Sequence, residues 1–179
     1  LHIEQGPILE AEERDIGVVT LVQAINWLDV TFSGADSHAG TTPMNRRKDA
    51  LAAAAELMAA IEKIPASIGS GVATVGTLAI ANPSRNVVPG DVTLTVDLRN
   101  PSDEALTAMR SAVEKAAAAI AAKRGVSSSV SVYWHSPAVP FDADAIACVR
   151  AGAAKLGLTT ADIFSGAGHD AAYVAKICP

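Results

Sequence analysis

The sequence predicts an α+β fold for residues 25–136, on three observations. Apolar and polar residues alternate strictly from Val92 to Arg99, the period-two signature of a half-buried strand. Leu51, Ala54, Met58 and Ile61, and further on Leu106, Met109, Val113 and Ile120, recur at the spacing of amphipathic helices. Shorter runs rich in Val, Thr and Ile interleave with these, giving the order strand, helix, strand, strand, helix, strand.

Taken along the chain, Leu28, Val30 and Phe32 share one face and Asp29 and Thr31 the other, which makes residues 28–32 the first strand. Thr42 and Pro43 form the expected helix start, since Thr can accept a hydrogen bond from an orphan N–H and Pro lacks one in the first turn. That helix runs to about Lys63 and is ended by Pro65. A second strand covers residues 72–81, followed by the loop 82–86 and a Pro89-Gly90 turn into the Val92–Arg99 strand. Ser102 caps the second helix, Gly125 ends it, and Val130–Trp134 is the last strand. This order is that of a ferredoxin-like βαββαβ sandwich, an antiparallel sheet covered on one face by two helices. The flanks, residues 1–24 and 137–179, contribute a strand or two and a helix from about Asp144 to Leu156. They are expected to be incomplete pieces of a different domain into which the sandwich is inserted. Because the sequence opens at Leu1 inside a polar motif and stops at Ile177-Cys178-Pro179, part of a longer protein is the expectation.

With 179 residues, half of them hydrophobic, the chain can bury a core. Its net charge of −5 and scattered Lys and Arg give no basic stripe, so nucleic acid is not an expected partner and a small molecule is. The alanine-rich run from Ala50 to Ile61 is interrupted by Glu56 and falls short of the roughly 20 residues that span a bilayer, so no membrane partner is expected. Cys148 and Cys178 fit neither a disulfide framework nor a paired zinc spacing, which favours a reducing, cytoplasmic setting.

The chemistry-bearing residues are sparse. His2 lies two residues from Glu4, a pattern that suits a surface role as well as a ligand. His169 follows Gly166-Ala167-Gly168, small residues that let backbone approach a ligand, and Asp170 could orient its imidazole on a metal. His38 sits between a strand and a helix, where it can reach past the surface or merely close a turn. Asn86 and Arg99 flank a hairpin and could converge on one anion if the strands pair near them. Arg99 offers the planar fork that meets a carboxylate with two bonds, although composition alone favours a surface residue of the exposed sheet face. His135 reads as structural. There is no phosphate loop, no Gly-x-Ser-x-Gly elbow and no cysteine with a base near it in sequence.

Five segments occur together in order: Leu-His-Ile-Glu-Gln-Gly-Pro at 1–7, Ser-His-Ala-Gly-Thr-Thr-Pro-Met at 37–44, Asn-Val-Val-Pro-Gly at 86–90, Asp-Leu-Arg at 97–99 and Gly-Ala-Gly-His-Asp at 166–170. In them the chain resembles the hydantoinase/carbamoylase amidases, a group that includes N-carbamoyl-L-amino-acid hydrolases, β-ureidopropionases and allantoate amidohydrolases. The resemblance implies a lid and dimerisation domain at 25–136, inserted into an α/β metallohydrolase domain of which 1–24 and 137–179 are parts. It implies two divalent metal ions (zinc, manganese, cobalt or nickel), His2 and His169 each ligating one of them. Gln5, Asn86, Arg99 and Gly168 become substrate-binding residues. His38 becomes the group that crosses a homodimer to polarise the scissile carbonyl while metal-activated water attacks. The family's remaining ligands and its general base are expected upstream of Leu1, so this chain alone is expected to hold no stable metal pair and to be inactive. Arg47 and Asp49 take a structural role at the helix start. Two other readings stand beside this one, a dipeptidase or deacylase of the wider superfamily and a dimerisation or binding module without catalysis.

Overall fold

The alternation at Val92–Arg99 becomes a ten-residue strand in the computed structural model, which describes residues 1–178; Pro179, the last residue of the 137–179 segment, lies outside the described residues. In chain order the elements are α1 (Ile8–Ala11), β1 (Ile16–Val22), β2 (Ala24–Ser33), β3 (Ser37–His38), α2 (Ala50–Ile61), α3 (Ile64–Ile68), β4 (Val72–Ile80) and β5 (Val87–Val88). They continue with β6 (Asp91–Asn100), α4 (Asp103–Arg124), β7 (Ser127–Ser136), β8 (Val139–Pro140), α5 (Ala143–Lys155), β9 (Thr160–Ser165) and α6 (Ala171–Val174). The chain divides into two compact units, Ile25–Ser136 and the two flanking segments.

In the first unit the sheet order is β4-β6-β2-β7, the ferredoxin-like arrangement, and α2 and α4 pack on each other and on the sheet. Phe32, Leu28 and Val30 of β2 meet Val92, Leu94, Val96 and Leu98 of β6 on the core side, each at most 1% exposed. From the helices come Leu57 and Ile61 of α2 and Leu106, Met109 and Val113 of α4, buried to the same degree. Ser102 accepts a bond from the N–H of Ala105 at the start of α4, and Gly125 ends that helix at φ 66°, a conformation that favours glycine. The opposite sheet face is polar, with the Thr31 and Thr93 hydroxyls 3.0 Å apart and those of Thr77 and Thr95 also 3.0 Å apart. Residues 37–38 and 87–88 form a separate two-stranded ribbon that sequence alone did not announce.

The structure corrects the expected first helix in three respects. Residues 42–49 are not its opening turns: Pro43 has an extended ψ of 147°, a single 3-10 turn covers Met44–Arg46, and α2 begins at Ala50. Its N-cap is Asp49, whose carboxylate accepts a bond from the Ala52 N–H at 2.9 Å. The buried stripe is Ala50, Ala53, Ala54, Leu57 and Ile61, whereas Met58 is 39% exposed. Nor does Pro65 simply end a helix, because it lies in the first turn of α3, where a missing N–H costs nothing. Asp49→Ala is expected to lower the stability of this unit by about 1 kcal/mol in urea denaturation, while Asp49→Asn retains most of it.

In the flanking unit β1 pairs antiparallel with β8 and parallel with β9, and α5 packs against β1. Val18, Val22, Ala24 and Ala153 are its buried apolar residues, while Leu156, Tyr173 and Ile177 stand well exposed. Among the described residues no helix is long and apolar enough to cross a membrane. Cys148 and Cys178 are free and exposed.

Candidate functional site

The sequence-identified residues fall into two groups, one in each unit. In the flanking unit, His2 and His169 come from opposite ends of the chain, yet their ring centroids lie 4.8 Å apart. Both rings line one open concavity together with Gln5, Phe141 and Gly168. Two side chains that held no assigned role in the sequence build this geometry. The Glu4 carboxylate accepts from the N–H groups of Ile8 and Leu9 at 2.9 and 3.0 Å, fixing the loop that carries His2 and Gln5. Gln23, 4% exposed, donates from Nε2 to the Gly166 carbonyl at 3.1 Å and so fixes the approach to His169. An acid just ahead of a helix start was the available signal for Glu4; nothing in the pattern marked Gln23. Gln5 itself sits at φ 57°, a left-handed conformation that non-glycine residues adopt at a cost and that recurs at ligand sites.

A backbone group bonds the His169 ring. The Ala171 N–H donates to Nδ1 at 3.1 Å, so the ring hydrogen sits on Nε2. Burial, and then the nearby charge of His2, push the His169 pKa down, only partly opposed by Asp170. The unfolded chain therefore binds more protons than the folded one from the ordinary value of about 6.5 down to the lowered one. The stability this histidine contributes is complete above that window and is lost as pH falls through it. An NMR titration should accordingly place the His169 midpoint below the ordinary histidine value, and a midpoint at or above it refutes the assignment.

Two imidazoles are suitable donors to a divalent cation, but among the described residues no cluster of three or more His, Cys, Asp or Glu side chains could hold one. Fewer than three protein ligands, with an Nε2–H on one of them, do not fit a complete metal site.

In the sandwich unit, His38 and Asn86 are neighbours, because the Ala39 N–H donates to the Asn86 carbonyl at 2.8 Å and His38 lies opposite Val87 in the ribbon. The Asn86 side chain accepts from Ser84 Oγ at 2.8 Å. The imidazole of His38 is exposed, and its Nδ1 accepts from the backbone N–H groups of Gly40 and Thr41 at 3.1 and 3.2 Å. Arg99 stands elsewhere. The ribbon loops meet the start of β6, where Gly34 N–H bonds the Gly90 carbonyl at 2.6 Å, whereas Arg99 pairs with Val72 at the far end of the strand. At about 3.3 Å per residue, the stretch from Asp91 to Arg99 is about 26 Å long, so one copy of this unit does not bring Asn86 and Arg99 to one anion. Asp97, two residues away on the same strand face, takes the Arg99 guanidinium through Nε at 3.0 Å and Nη2 at 2.6 Å. That carboxylate raises the already high pKa of Arg99, against an opposing effect of burial. The alternation had put Asp97 and Arg99 on one face, which was the signal for their pairing. His135 Nδ1 lies 3.0 Å from Asn26 Oδ1 and 3.2 Å from the Ile25 carbonyl, a structural contact.

Comparison with known proteins adds four findings. Residues 22–125 match the family described as the peptidase dimerisation domain. An N-carbamoyl-L-amino-acid amidohydrolase of Rhizobium meliloti is 42% identical over 183 residues, covering 99% of this chain and 43% of that protein. A ureidoglycolate hydrolase of Arabidopsis thaliana is 37% identical, over 100% of this chain and 38% of its own length. Among solved structures, a hydantoinase/carbamoylase family amidase from Burkholderia ambifaria superposes with a TM-score of 0.95 at 49% identity, over 99% of this chain and 44% of that one. The chain thus spans under half the length of the relatives it matches.

Proposed function

Because the chain belongs to the peptidase dimerisation domain family, we propose that it supplies the dimerisation unit and part of the catalytic unit of an amidohydrolase. The bond cleaved is a linear C–N bond of a carbamoyl or ureido acid, an N-carbamoyl amino acid, ureidopropionate or allantoate. The observation that carries this reading is the meeting of His2 and His169 beside Gln5 and Gly168 on one concavity. Resemblance of the whole chain to amidohydrolases of that substrate class supports it.

Each residue has a place in the proposal. His2 and His169 each give one ligand to a divalent metal, His169 through Nε2 once its ring hydrogen stands on Nδ1 in place of the Ala171 contact, with the remaining ligands coming from outside these residues. Gln5 and Gly168 contact substrate beside them. Arg99 and Asn86 hold the substrate carboxylate, and since they stand at opposite ends of β6, one carboxylate meets both only if they come from two copies of the chain. His38, next to Asn86, then also acts on a substrate held by the second copy, donating a hydrogen bond to the oxygen on which charge develops. Strand β4 supports the two-copy assembly. It is a nine-residue sheet edge of sequence VATVGTLAI, with no charge or proline to block pairing and with Val72 and Leu78 exposed, so a second β4 can extend the sheet across a two-fold axis.

The test is hydrolysis of N-carbamoyl amino acids, ureidopropionate and allantoate, with manganese or zinc added, by the full-length gene product and by this chain. Turnover by the full-length product alone is the expected result. A full-length product inert on every ureido substrate sinks the proposal and leaves a peptidase or a non-catalytic dimerisation module in its place.

A further inference from the structure

We propose that Arg47 is a positioning residue for His38, acting through a single peptide plane to present the imidazole with its hydrogen on Nε2. The inference rests on the reading of His38 as a hydrogen-bond donor to substrate.

Its geometry starts at the Ala39–Gly40 peptide. A trans peptide unit is planar, and its C=O and N–H point in opposite directions. Arg47 Nη2 donates to the Ala39 carbonyl at 2.7 Å, and at the other end of the same plane the Gly40 N–H donates to His38 Nδ1 at 3.1 Å. Arg47 Nε donates to the Thr42 carbonyl at 3.1 Å, so the planar guanidinium brackets residues 40 and 41 from outside while their N–H groups face the ring. The turn is closed by Thr42 N–H on the His38 carbonyl at 3.0 Å.

Two consequences follow for the imidazole. A neutral ring carries one hydrogen, and two N–H donors aimed at Nδ1 require that nitrogen to be the acceptor, which leaves the hydrogen on Nε2, the nitrogen facing away from the loop. A positive charge on the oxygen side of the Ala39–Gly40 plane also polarises its N–H toward the ring. Gly40 is fitted to this contact, since a Cβ there would stand 3.3 Å from His38 Cε1. Arg47 touches neither the imidazole nor any substrate in this scheme; it sets the direction of the donor.

The experiment has two arms. In the first, the 179-residue chain is labelled with ¹⁵N, and the ring nitrogens of His38 and the amide exchange of Gly40 and Thr41 are read for wild type, Arg47→Lys and Arg47→Met. In Arg47→Met, exchange at both amides is expected to quicken about tenfold and the ring signals to move toward the tautomer mixture of a free imidazole, with core amides such as Leu94 unchanged. Arg47→Lys, which can still hold one carbonyl, restores part of the effect and serves if the Met variant does not fold. In the second arm, Arg47→Met is measured in the full-length enzyme with and without His38→Ala. A loss of about tenfold in kcat at unchanged KM that disappears in the His38→Ala background shows that Arg47 acts through His38. Unchanged ring and amide signals in the first arm, or an equal loss in both backgrounds in the second, overturns the proposal. Absence of any activity in the full-length wild type instead removes the proposed function and leaves the first arm to decide the positioning role.

Discussion

Replacing His38 with alanine in the full-length gene product is expected to lower kcat about 10²–10³-fold while leaving KM nearly unchanged. The size is that of a single hydrogen-bond donor lost from an oxygen that becomes charged only in the transition state. The asymmetry between kcat and KM is the informative part. A donor that gripped the ground-state carbonyl equally well would show its loss in KM instead. The side chain is exposed and its contacts are local, so the fold should tolerate the change. Steady-state kinetics beside a denaturation curve separates the two effects. A kcat within about threefold of wild type at unaltered stability would remove His38 from the reaction.

Leu57→Ala is expected to cost the sandwich unit about 2–5 kcal/mol, whereas Met58→Ala, one residue along the same helix, should cost under about 1 kcal/mol. Leu57 is fully buried between α2, the sheet and α4, while Met58 is 39% exposed. Against a typical total of about 5–15 kcal/mol, the first change is a large fraction of the stability of a domain. Urea midpoints of the two variants are the measurement, and equal shifts would refute the observed helix phase.

That pair of residues also marks where the sequence stopped being legible. On β6, strict alternation of Val and Leu with Thr, Asp and Arg admits one register only, and every apolar member is buried in the structure. On α2 the larger apolar residues suggested a face through Leu51 and Met58, but alanines carry the packing, and Ala50, Ala53 and Ala54 are wholly buried where the helix approaches its neighbours closely. An alanine-rich helix gives weak periodicity because alanine fits either face. The helix start failed for a related reason. Thr42-Pro43 and Asp49 are both acceptable openings, and only the tertiary path of residues 42–48, held by Arg47 on the Ala39 and Thr42 carbonyls, decides for Asp49. The site shows the same boundary. The motif residues were visible as motifs, but bonds from side chains to carbonyls, local for Arg47 and across the chain for Gln23, have no periodic signature. The spacing of Asn86 and Arg99 in sequence likewise said nothing of their separation along a strand.

The pairing of Ile25 with Ser136 has a consequence for how this chain folds. It places the entrance and exit of the sandwich unit side by side, so that once the unit has formed, its whole length acts on the flanking segments as a closed link of a few ångströms. Before that, joining Asp15 to Thr159 means closing a loop of 144 positions, and β1 must find β9 across a similar distance. Afterwards the same search involves only the short tails on either side of the link. The sandwich, whose strands and helices follow one another in sequence, is thereby set to fold first and the flanking sheet second, with the entropy of the long loop already lost to the insert.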